Sequence, residues 1–188
     1  RPIKDAIADL LDDYVVALSL DKVEANNLPD RASTHVLVTG GCGFIGSNFV
    51  NHLHTTTNNV RITNLDAMYY CASHSNLKHE VRTSPRYSFV QGNLRSYDLL
   101  IHLMKTNKFT HVVHFAAQSH VQSSFDDSLT YTMDNIVGTH NLLEATRLHC
   151  TSLSRFVHVS TDEVYGESML DVNEQHKTEH SILCPTNP

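Results

Sequence analysis

The sequence predicts an α/β fold with a doubly wound parallel sheet, and two observations support this prediction. From His35 onward, short β-branched runs alternate with longer segments of helical periodicity, which is the order of repeated β-α-β units. The first of these runs also leads directly into three spaced glycines. Because crossovers between parallel strands are right-handed, such an order places helices on both faces of the sheet.

Each element follows from its local pattern, since short apolar runs predict strands and the longer periodic runs between them predict helices. The predicted strands are 35–39, 60–65, 87–91, 111–115 and 155–160. The predicted helices are 44–55, 96–107 and 126–149, with a shorter irregular helical piece near 74–82. Ligands of such sheets bind beyond the carboxyl ends of the strands, so the residues that follow each strand are the candidates for a site.

The first strand-to-helix turn reads Val-Leu-Val-Thr-Gly-Gly-Cys-Gly-Phe-Ile-Gly at residues 36–46, a spacing that predicts a dinucleotide site. Gly40 lets the chain turn sharply, Gly43 lets the backbone approach a pyrophosphate, and Gly46 lets the helix pack close to the sheet. The phosphates would lie on the N–H groups at the helix start, where the helix dipole favours negative charge. The turn therefore predicts a Rossmann-type domain.

An acidic residue at the end of the second strand supports this interpretation. Asp66 lies twenty residues after Gly46, where a carboxylate accepts hydrogen bonds from the adenine ribose hydroxyls. A 2′-phosphate there would meet a negative charge with no adjacent arginine, so the sequence favours NAD over NADP. The alternative to a dinucleotide site is a structural glycine-rich turn between strand and helix, with Asp66 as an unrelated surface residue.

A second cluster, Ser-Thr-Asp-Glu-Val-Tyr-Gly at 160–166, follows the fifth strand. Asp162 and Glu163 offer a general acid and a general base within reach of one substrate, provided that their surroundings separate their pKa values. By itself such a pair is more typical of a helix N-terminus. Its position after the fifth strand of a dinucleotide fold favours a catalytic role.

Composition limits the classes of function. The chain carries 14 Lys and Arg against 20 Asp and Glu, a net charge of −6, which argues against a nucleic-acid surface. Cys42, Cys71, Cys150 and Cys184 are widely spaced, which indicates reduced thiols and a cytoplasmic protein. No apolar run approaches the roughly 18 residues that a membrane span needs. The H-x-x-E-H pattern at 176–180 resembles a zinc-protease motif, but its flanks disfavour a helix, and we expect no metal site.

The N-terminal segment, residues 1–34, differs from the rest of the chain. Apolar residues between Ile3 and Leu18 recur at helical spacing and predict an amphipathic helix, and residues 26–34 are typical of a linker. The helix could dock a partner or a second subunit, but we favour an extension that leans on the domain. Residues 35–188 then form the nucleotide-binding domain.

Four motifs together resemble a known family. They are Thr-Gly-Gly-Cys-Gly-Phe-Ile-Gly-Ser at 39–47, His-Phe-Ala-Ala-Gln-Ser-His-Val at 114–121, Asn-Ile-Val-Gly-Thr at 135–139 and His-Val-Ser-Thr-Asp-Glu-Val-Tyr-Gly at 158–166. These residues resemble the extended short-chain dehydrogenase/reductases, and more narrowly the nucleotide-sugar 4,6-dehydratases that act on dTDP-glucose or UDP-glucose. The resemblance covers residues 35–188. Its most specific part is Thr-Asp-Glu-Val-Tyr-Gly, because related epimerases and decarboxylases usually lack the Asp-Glu pair.

The resemblance implies an NAD-dependent reaction in which the sugar is oxidised at C4, loses water across C5 and C6, and is reduced at C6. On that template Glu163 abstracts the C5 proton, Asp162 protonates the departing C6 hydroxyl, and Thr161 hydrogen-bonds the C4 oxygen. His120 lies beside the sugar. The residues expected around the cofactor are Gly40, Gly43, Phe44, Ile45, Gly46, Asp66, Asn93, Leu94, Ala116, Ala117, Ser119, Asn135 and Ser160.

Two positions depart from the family. Its usual Asp after the third strand, which hydrogen-bonds the adenine amino group, is Asn93 here, whose side-chain carbonyl can still accept that bond. Its usual Asp after His-Val is Gln122 here, so local ion pairing or helix capping lacks its usual residue.

The chain stops at Pro188, one residue before the Tyr-x-x-x-Lys that family members carry, so we expect an N-terminal fragment of a dehydratase that is inactive by itself. In the family that Tyr is the base for C4 oxidation, and a further C-terminal region binds the nucleotide diphosphate. Related enzymes dimerise through helices that correspond to 96–107 and 126–149. The alternatives are a 4-epimerase or a UDP-glucuronate decarboxylase, or a non-enzymatic NAD-binding domain.

Overall fold

The computed structural model of the chain describes residues 34–167 and 176–188, and its centre is a five-stranded parallel sheet. The strands are β1 (Thr34–Thr39), β2 (Val60–Asp66), β3 (Tyr87–Gln91), β4 (His111–His114) and β5 (Arg155–His158), in the order β3-β2-β1-β4-β5. The predicted fold class is confirmed, and every strand lies close to its expected limits. Apart from Thr34, the N-terminal helix and linker predicted at 1–34 lie outside the described residues.

The central strand β1 is buried because it carries apolar side chains on both faces. Val36 and Val38 belong to one buried cluster with Phe49, and Leu37 belongs to the opposite cluster with Leu142. Successive side chains of a strand point to opposite faces, so a near-continuous apolar run suits a strand with helices on both sides. Each of these fully buried side chains contributes on the order of 1.5–3 kcal/mol of hydrophobic stabilisation.

The helices divide between the two faces of the sheet. They are α1 (Phe44–Thr56), α2 (His79–Arg82), α3 (Tyr97–Thr106), α4 (Val121–Asp126), α5 (Ser128–Tyr131) and α6 (Gly138–His149), with short 3₁₀ turns at His74–Asn76 and Asp162–Tyr165. Apolar residues of α1 join one core cluster, and those of α3 and α6 join the other. Within the described ranges, no helix combines the length and apolar character that crossing a bilayer requires.

The helix predicted at 126–149 is confirmed in its main part: it begins at Ser128 and runs without a break through α5, a π-helical turn (Thr132–Val137) and α6 to His149. The sequence did not predict α4, which precedes this helix and is separated from it by a break at Asp127. The break has a local cause: Asp127 leaves helical geometry (φ −139°, ψ 62°), and its carboxylate accepts a hydrogen bond from the Thr130 N–H at 3.2 Å, which caps α5. The π-helical turn carries Asp134 and Asn135, and such turns are frequent at functional sites.

Candidate functional site

The glycine turn between β1 and α1 lies at the carboxyl edge of the sheet. Its strand, β1, is flanked by β2 on one side and by β4 on the other. Gly40 has a positive φ of 74°, and a Cβ at this position would lie 2.7 Å from the backbone of Ala116. At Gly46, a Cβ would lie 2.3 Å from the carbonyl oxygen of Gly40. Only glycine fits either position, so the sharp turn and the close approach of α1 both depend on the missing side chains.

The N-terminus of α1 is open to an anion. Gly43 is the N-cap residue and offers no side chain to the first helical N–H groups, and the first turn contains no acidic residue. Phe44 and Ile45, which begin the helix, are 67% and 51% exposed. A helix start with uncapped N–H groups and no carboxylate of its own suits a phosphate, because the helix dipole adds to the field of those N–H groups.

Asp66 ends β2 beside this turn and is held from two directions. One carboxylate oxygen accepts the Cys42 N–H and the other accepts the Met68 N–H, both at 2.8 Å, and the residue is only 6% exposed. Each carboxylate oxygen has a second acceptor position, so Asp66 can still receive hydrogen bonds from ligand hydroxyls. Its carboxylate is thus fixed in place before any ligand arrives.

A cavity collects the residues that follow β1, β2, β3 and β4. Seven of the residues predicted around a cofactor line it: Gly40, Gly43, Asp66, Asn93, Leu94, Ala116 and Ala117. The other predicted cofactor residues, Phe44, Ile45, Gly46, Ser119, Asn135 and Ser160, do not. Asn135 instead braces the loop after β4, accepting the Gln118 N–H at 2.8 Å and donating to the Gln118 carbonyl at 2.9 Å.

Three cavity-lining residues that sequence reasoning missed, Tyr69, Gln118 and Asp134, form a polar cluster with Asn93 and Arg95. The Arg95 guanidinium donates to Asp134 at 2.6 Å, and the Gln118 amide donates to its other oxygen at 3.1 Å. The side-chain oxygen of Asn93 accepts the Arg95 backbone N–H at 2.8 Å, and its side-chain nitrogen donates to the Tyr69 hydroxyl at 2.6 Å. Burial and the Asp134 carboxylate raise the pKa of Tyr69, which keeps its hydroxyl neutral. Only Asn93 carried a sequence signal.

Asn64 is a further residue that the sequence did not reveal. It is fully buried in β2, and its side-chain oxygen accepts the Gly41 N–H at 3.0 Å. Its amide nitrogen donates to the Cys42 sulfur at 3.3 Å and to the Tyr87 hydroxyl at 3.0 Å. Asn64 therefore supports the glycine turn from β2. The available signal was a polar side chain inside an apolar strand, which is costly unless it is hydrogen-bonded.

The predicted catalytic cluster lies after β5, at the same edge of the sheet but outside the cavity. Thr161 caps the 3₁₀ turn Asp162–Tyr165, its hydroxyl accepting the Glu163 N–H at 3.2 Å and donating to Asp162 at 3.3 Å. Glu163 accepts a hydrogen bond from the Asn187 side chain at 2.8 Å. All three residues are exposed, so the capping role and the catalytic role predicted from the sequence are compatible in this geometry.

His120, predicted beside the sugar, is the N-cap residue of α4. Its ring nitrogen Nδ1 accepts the Ser123 N–H at 3.2 Å, and its carbonyl accepts the Tyr131 hydroxyl at 2.9 Å. His120 therefore caps α4, and Gln122 lies within the first turn of that helix. The ring is exposed, as is Ser119 next to it.

Cys42, in the glycine turn, is a packing residue. A thiol at a helix N-terminus can have a lowered pKa, but Cys42 is fully buried in the core cluster beneath the turn. Burial, followed by the Asp66 carboxylate, raises the pKa of this thiol to about 11, so it is protonated and unreactive at neutral pH. Among the described residues no group of three or more His, Cys, Asp or Glu is placed to hold a metal ion, and residues 176–180 form no helix.

Comparison with known proteins gives consistent results. Residues 37–188 match the family described as GDP-mannose 4,6 dehydratase. The chain is 44% identical over 154 residues to the trifunctional UDP-glucose 4,6-dehydratase/UDP-4-keto-6-deoxy-D-glucose 3,5-epimerase/UDP-4-keto-L-rhamnose-reductase of Arabidopsis thaliana, a match that covers 82% of this chain and 23% of that protein.

Solved structures show the same relationship. The dTDP-glucose 4,6-dehydratase of Streptomyces venezuelae, solved with NAD bound, matches with a TM-score of 0.72 and 37% identity over 82% of this chain and 46% of that one. The UDP-Glc/GlcNAc 4-epimerase of Campylobacter jejuni matches with a TM-score of 0.71 and 28% identity over 82% of this chain and 44% of that one. The chain thus spans less than half the length of each of these relatives.

Proposed function

The chain belongs to the family described as GDP-mannose 4,6 dehydratase, and from this membership we propose that the protein is an NAD-dependent nucleotide-sugar 4,6-dehydratase. Its relatives include proteins named as dehydratases of UDP-glucose and of dTDP-glucose, so the proposed substrate is a dTDP- or UDP-hexose. Because the chain spans less than half the length of these relatives, the activity is proposed for the whole protein.

One observation carries the cofactor proposal: the glycine turn and the fixed Asp66 carboxylate border the same cavity. The uncapped start of α1 suits a pyrophosphate, and the second acceptor positions of Asp66 suit ribose hydroxyls. A 2′-phosphate would meet the buried Asp66 carboxylate, so the site favours NAD over NADP. When bound, NAD would supply the oxidation at C4 of the sugar and the reduction at C6.

The residues after β5 would carry the elimination of water. We assign the general base for the C5 proton to Glu163 and the general acid for the C6 hydroxyl to Asp162. The Thr161 hydroxyl would hydrogen-bond the C4 oxygen. Thr161 also holds the turn that presents both carboxylates, so its hydroxyl serves geometry as well as binding. Asn187 orients Glu163 from the far end of the chain.

The carboxylate pair separates this proposal from the epimerase alternative. The TM-scores to the dehydratase and the epimerase, 0.72 and 0.71, are nearly equal, so the fold does not discriminate between them. Sequence identity is higher to the dehydratase, at 37% against 28%. The adjacent Asp162 and Glu163 are the acid and base that an elimination needs, and a simple epimerisation at C4 has no leaving hydroxyl to protonate.

The test is to incubate the full-length protein with NAD⁺ and either UDP-glucose or dTDP-glucose. The masses of the products are then measured by mass spectrometry. A 4,6-dehydratase yields a product lighter by one water molecule. A 4-epimerase yields an isomer of unchanged mass, and that result would replace the proposal by its alternative. NADP⁺ in place of NAD⁺ is the matched control and should support much slower turnover.

We also propose that the protein is a cytoplasmic homodimer. Leu129, Ile136, Leu143 and Leu148 are between 47% and 71% exposed on the helical run from α5 to α6, and a second copy would cover them. All four cysteines are free, which suits a reducing compartment. Sedimentation of the full-length protein should give a dimer mass, and Leu143→Lys should shift it toward the monomer.

A further inference from the structure

The strand order assigns the adenosine half of the proposed dinucleotide to one side of the sheet. With the pyrophosphate on the glycine turn after β1 and the ribose on Asp66 after β2, the base attached to that ribose lies toward the end of β3. There the cavity is lined by Asn93, Tyr69 and Asp134. We propose that Asp134 is the residue that reads the 6-amino group of the adenine, in place of the residue at position 93. This inference rests on the proposed NAD site.

The Asn93 side chain turns its amide nitrogen, and not its oxygen, toward Tyr69 and Asp134. The Arg95 backbone N–H, at 2.8 Å, can only donate, so the atom that faces it must be the Asn93 oxygen. The other side of the amide faces the Asp134 carboxylate at 3.4 Å, which can only accept. These two one-way partners fix the amide group. Its nitrogen, a donor, therefore points toward Tyr69 and Asp134, where the amino group of an adenine would need an acceptor.

Asp134 presents an acceptor where Asn93 presents a donor. Its side chain is only 9% exposed, and the Arg95 guanidinium at 2.6 Å compensates its charge. One carboxylate oxygen receives three donors, from Arg95 at 2.6 Å, Asn93 at 3.4 Å and Tyr69 at 3.5 Å. Within the described residues, the other oxygen receives one hydrogen bond, from the Gln118 side-chain amide at 3.1 Å. This second oxygen keeps an acceptor position for a ligand.

A carboxylate acceptor at this position makes the site selective for an amino group over a carbonyl. An exocyclic amine donates to the free acceptor position, whereas a carbonyl oxygen at the same place would face a negatively charged oxygen. Nicotinamide hypoxanthine dinucleotide, which carries a carbonyl in place of the 6-amino group, is therefore the probe. Because the bond is charge-assisted, we expect the protein to bind NAD⁺ roughly 10- to 100-fold more tightly than this analogue.

The experiment measures the affinity of the full-length protein for both dinucleotides by isothermal titration calorimetry. Asp134→Asn should reduce the preference for NAD⁺ to within about threefold. Asp126→Asn is the matched control, because it removes the same charge from an exposed position on α4 that does not line the cavity. The double variant Asn93→Asp with Asp134→Asn returns a carboxylate to position 93 and should restore the preference.

The outcomes are distinct. Equal affinity of the unmutated protein for the two dinucleotides overturns the inference without any variant, so a poorly folded Asp134→Asn does not protect it. A preference that survives in well-folded Asp134→Asn also overturns it and assigns the reading of the amine to Asn93. If the unmutated protein binds neither dinucleotide, the proposed NAD site fails and the inference fails with it. Loss of the preference in Asp134→Asn, with retention in Asp126→Asn, supports it.

Discussion

Two glycines of the β1–α1 turn should respond differently to the same substitution, Gly→Ala. At Gly46, the added Cβ would lie 2.3 Å from the Gly40 oxygen and 2.9 Å from two further backbone atoms. Ordinary contact begins near 3.4 Å, so the backbone of α1 or of the turn must move by about 1 Å. Overpacking of this kind costs roughly 1–3 kcal/mol, which is the expected loss in the free energy of unfolding for Gly46→Ala.

At Gly43, the same methyl group meets only the Gly40 oxygen, at 3.4 Å, which is ordinary contact. Its φ of −74° suits alanine, and the reduced freedom of the unfolded chain stabilises the fold by about 0.4–1 kcal/mol. Glycine is the better N-cap residue by a similar amount, so the net change should lie within about 1 kcal/mol. The methyl would, however, stand in the cavity where the pyrophosphate is proposed, and NAD⁺ affinity should fall at least about tenfold.

The two variants are compared by urea denaturation, for stability, and by calorimetric titration with NAD⁺, for affinity. The expected pattern is a crossed one, in which Gly46→Ala lowers stability and Gly43→Ala lowers affinity without a matching loss of stability. If Gly43→Ala bound NAD⁺ as tightly as the unmutated protein, the pyrophosphate would not lie on this turn. If Gly46→Ala were as stable as the unmutated protein, the close contact between α1 and the turn would not constrain the fold.

Three further predictions concern charged and titrating groups. Asp66→Ala should weaken NAD⁺ binding by on the order of 1.5–3 kcal/mol for each hydrogen bond lost. It should also destabilise the fold, because two backbone N–H groups lose their acceptor. Equal affinity of the unmutated protein for NAD⁺ and NADP⁺ in calorimetry would contradict the assignment of Asp66 to the adenine ribose. Burial, followed by a neighbouring histidine, lowers the pKa of His114 from 6.5 to about 4, so the unfolded chain takes up a proton that the folded one does not as the pH falls through this window. The free energy of unfolding should therefore fall by up to roughly 3 kcal/mol between about pH 6.5 and 4. The difference between the urea midpoints at pH 7 and pH 5 should be smaller for His114→Gln than for the unmutated protein. If the two proteins showed the same difference, His114 would not cause the loss. In the full-length protein, Glu163→Gln should retain the proposed C4 oxidation, seen as transient NADH absorbance, and should slow elimination by about 10²- to 10⁴-fold. Asp162→Asn should keep exchange of the C5 proton with deuterium oxide while slowing loss of the C6 hydroxyl. Elimination rates within about threefold of the unmutated enzyme for both variants would require a different acid–base pair and favour an epimerase.

The elements that the sequence predicted correctly are those whose causes are local. The five strands follow from apolar runs, and the turn after β1 follows from glycine spacing, because chain direction and Cβ clearance are properties of a few adjacent residues. Asp66 was found for a related reason: a β-α-β unit has a nearly constant length, so the end of β2 falls at a set distance from the glycines. The helix predicted at 126–149 begins two residues later than expected, because its apolar spacing continues across Asp127, whose capping bond interrupts the backbone.

A parallel sheet with a dinucleotide turn at its edge could be predicted from the sequence, since those features depend on neighbouring residues. The side chains that share hydrogen bonds across the fold could be identified in the folded chain but not from the sequence. Asn93 and Asp134 are 41 positions apart, Asn64 and Gly41 are 23 apart, and Thr39 and His114 are 75 apart. Parallel crossovers bring such residues to one edge of the sheet, and hydrogen-bond partners are then selected by angstrom-scale distance and by donor and acceptor chemistry, neither of which spacing along the chain encodes.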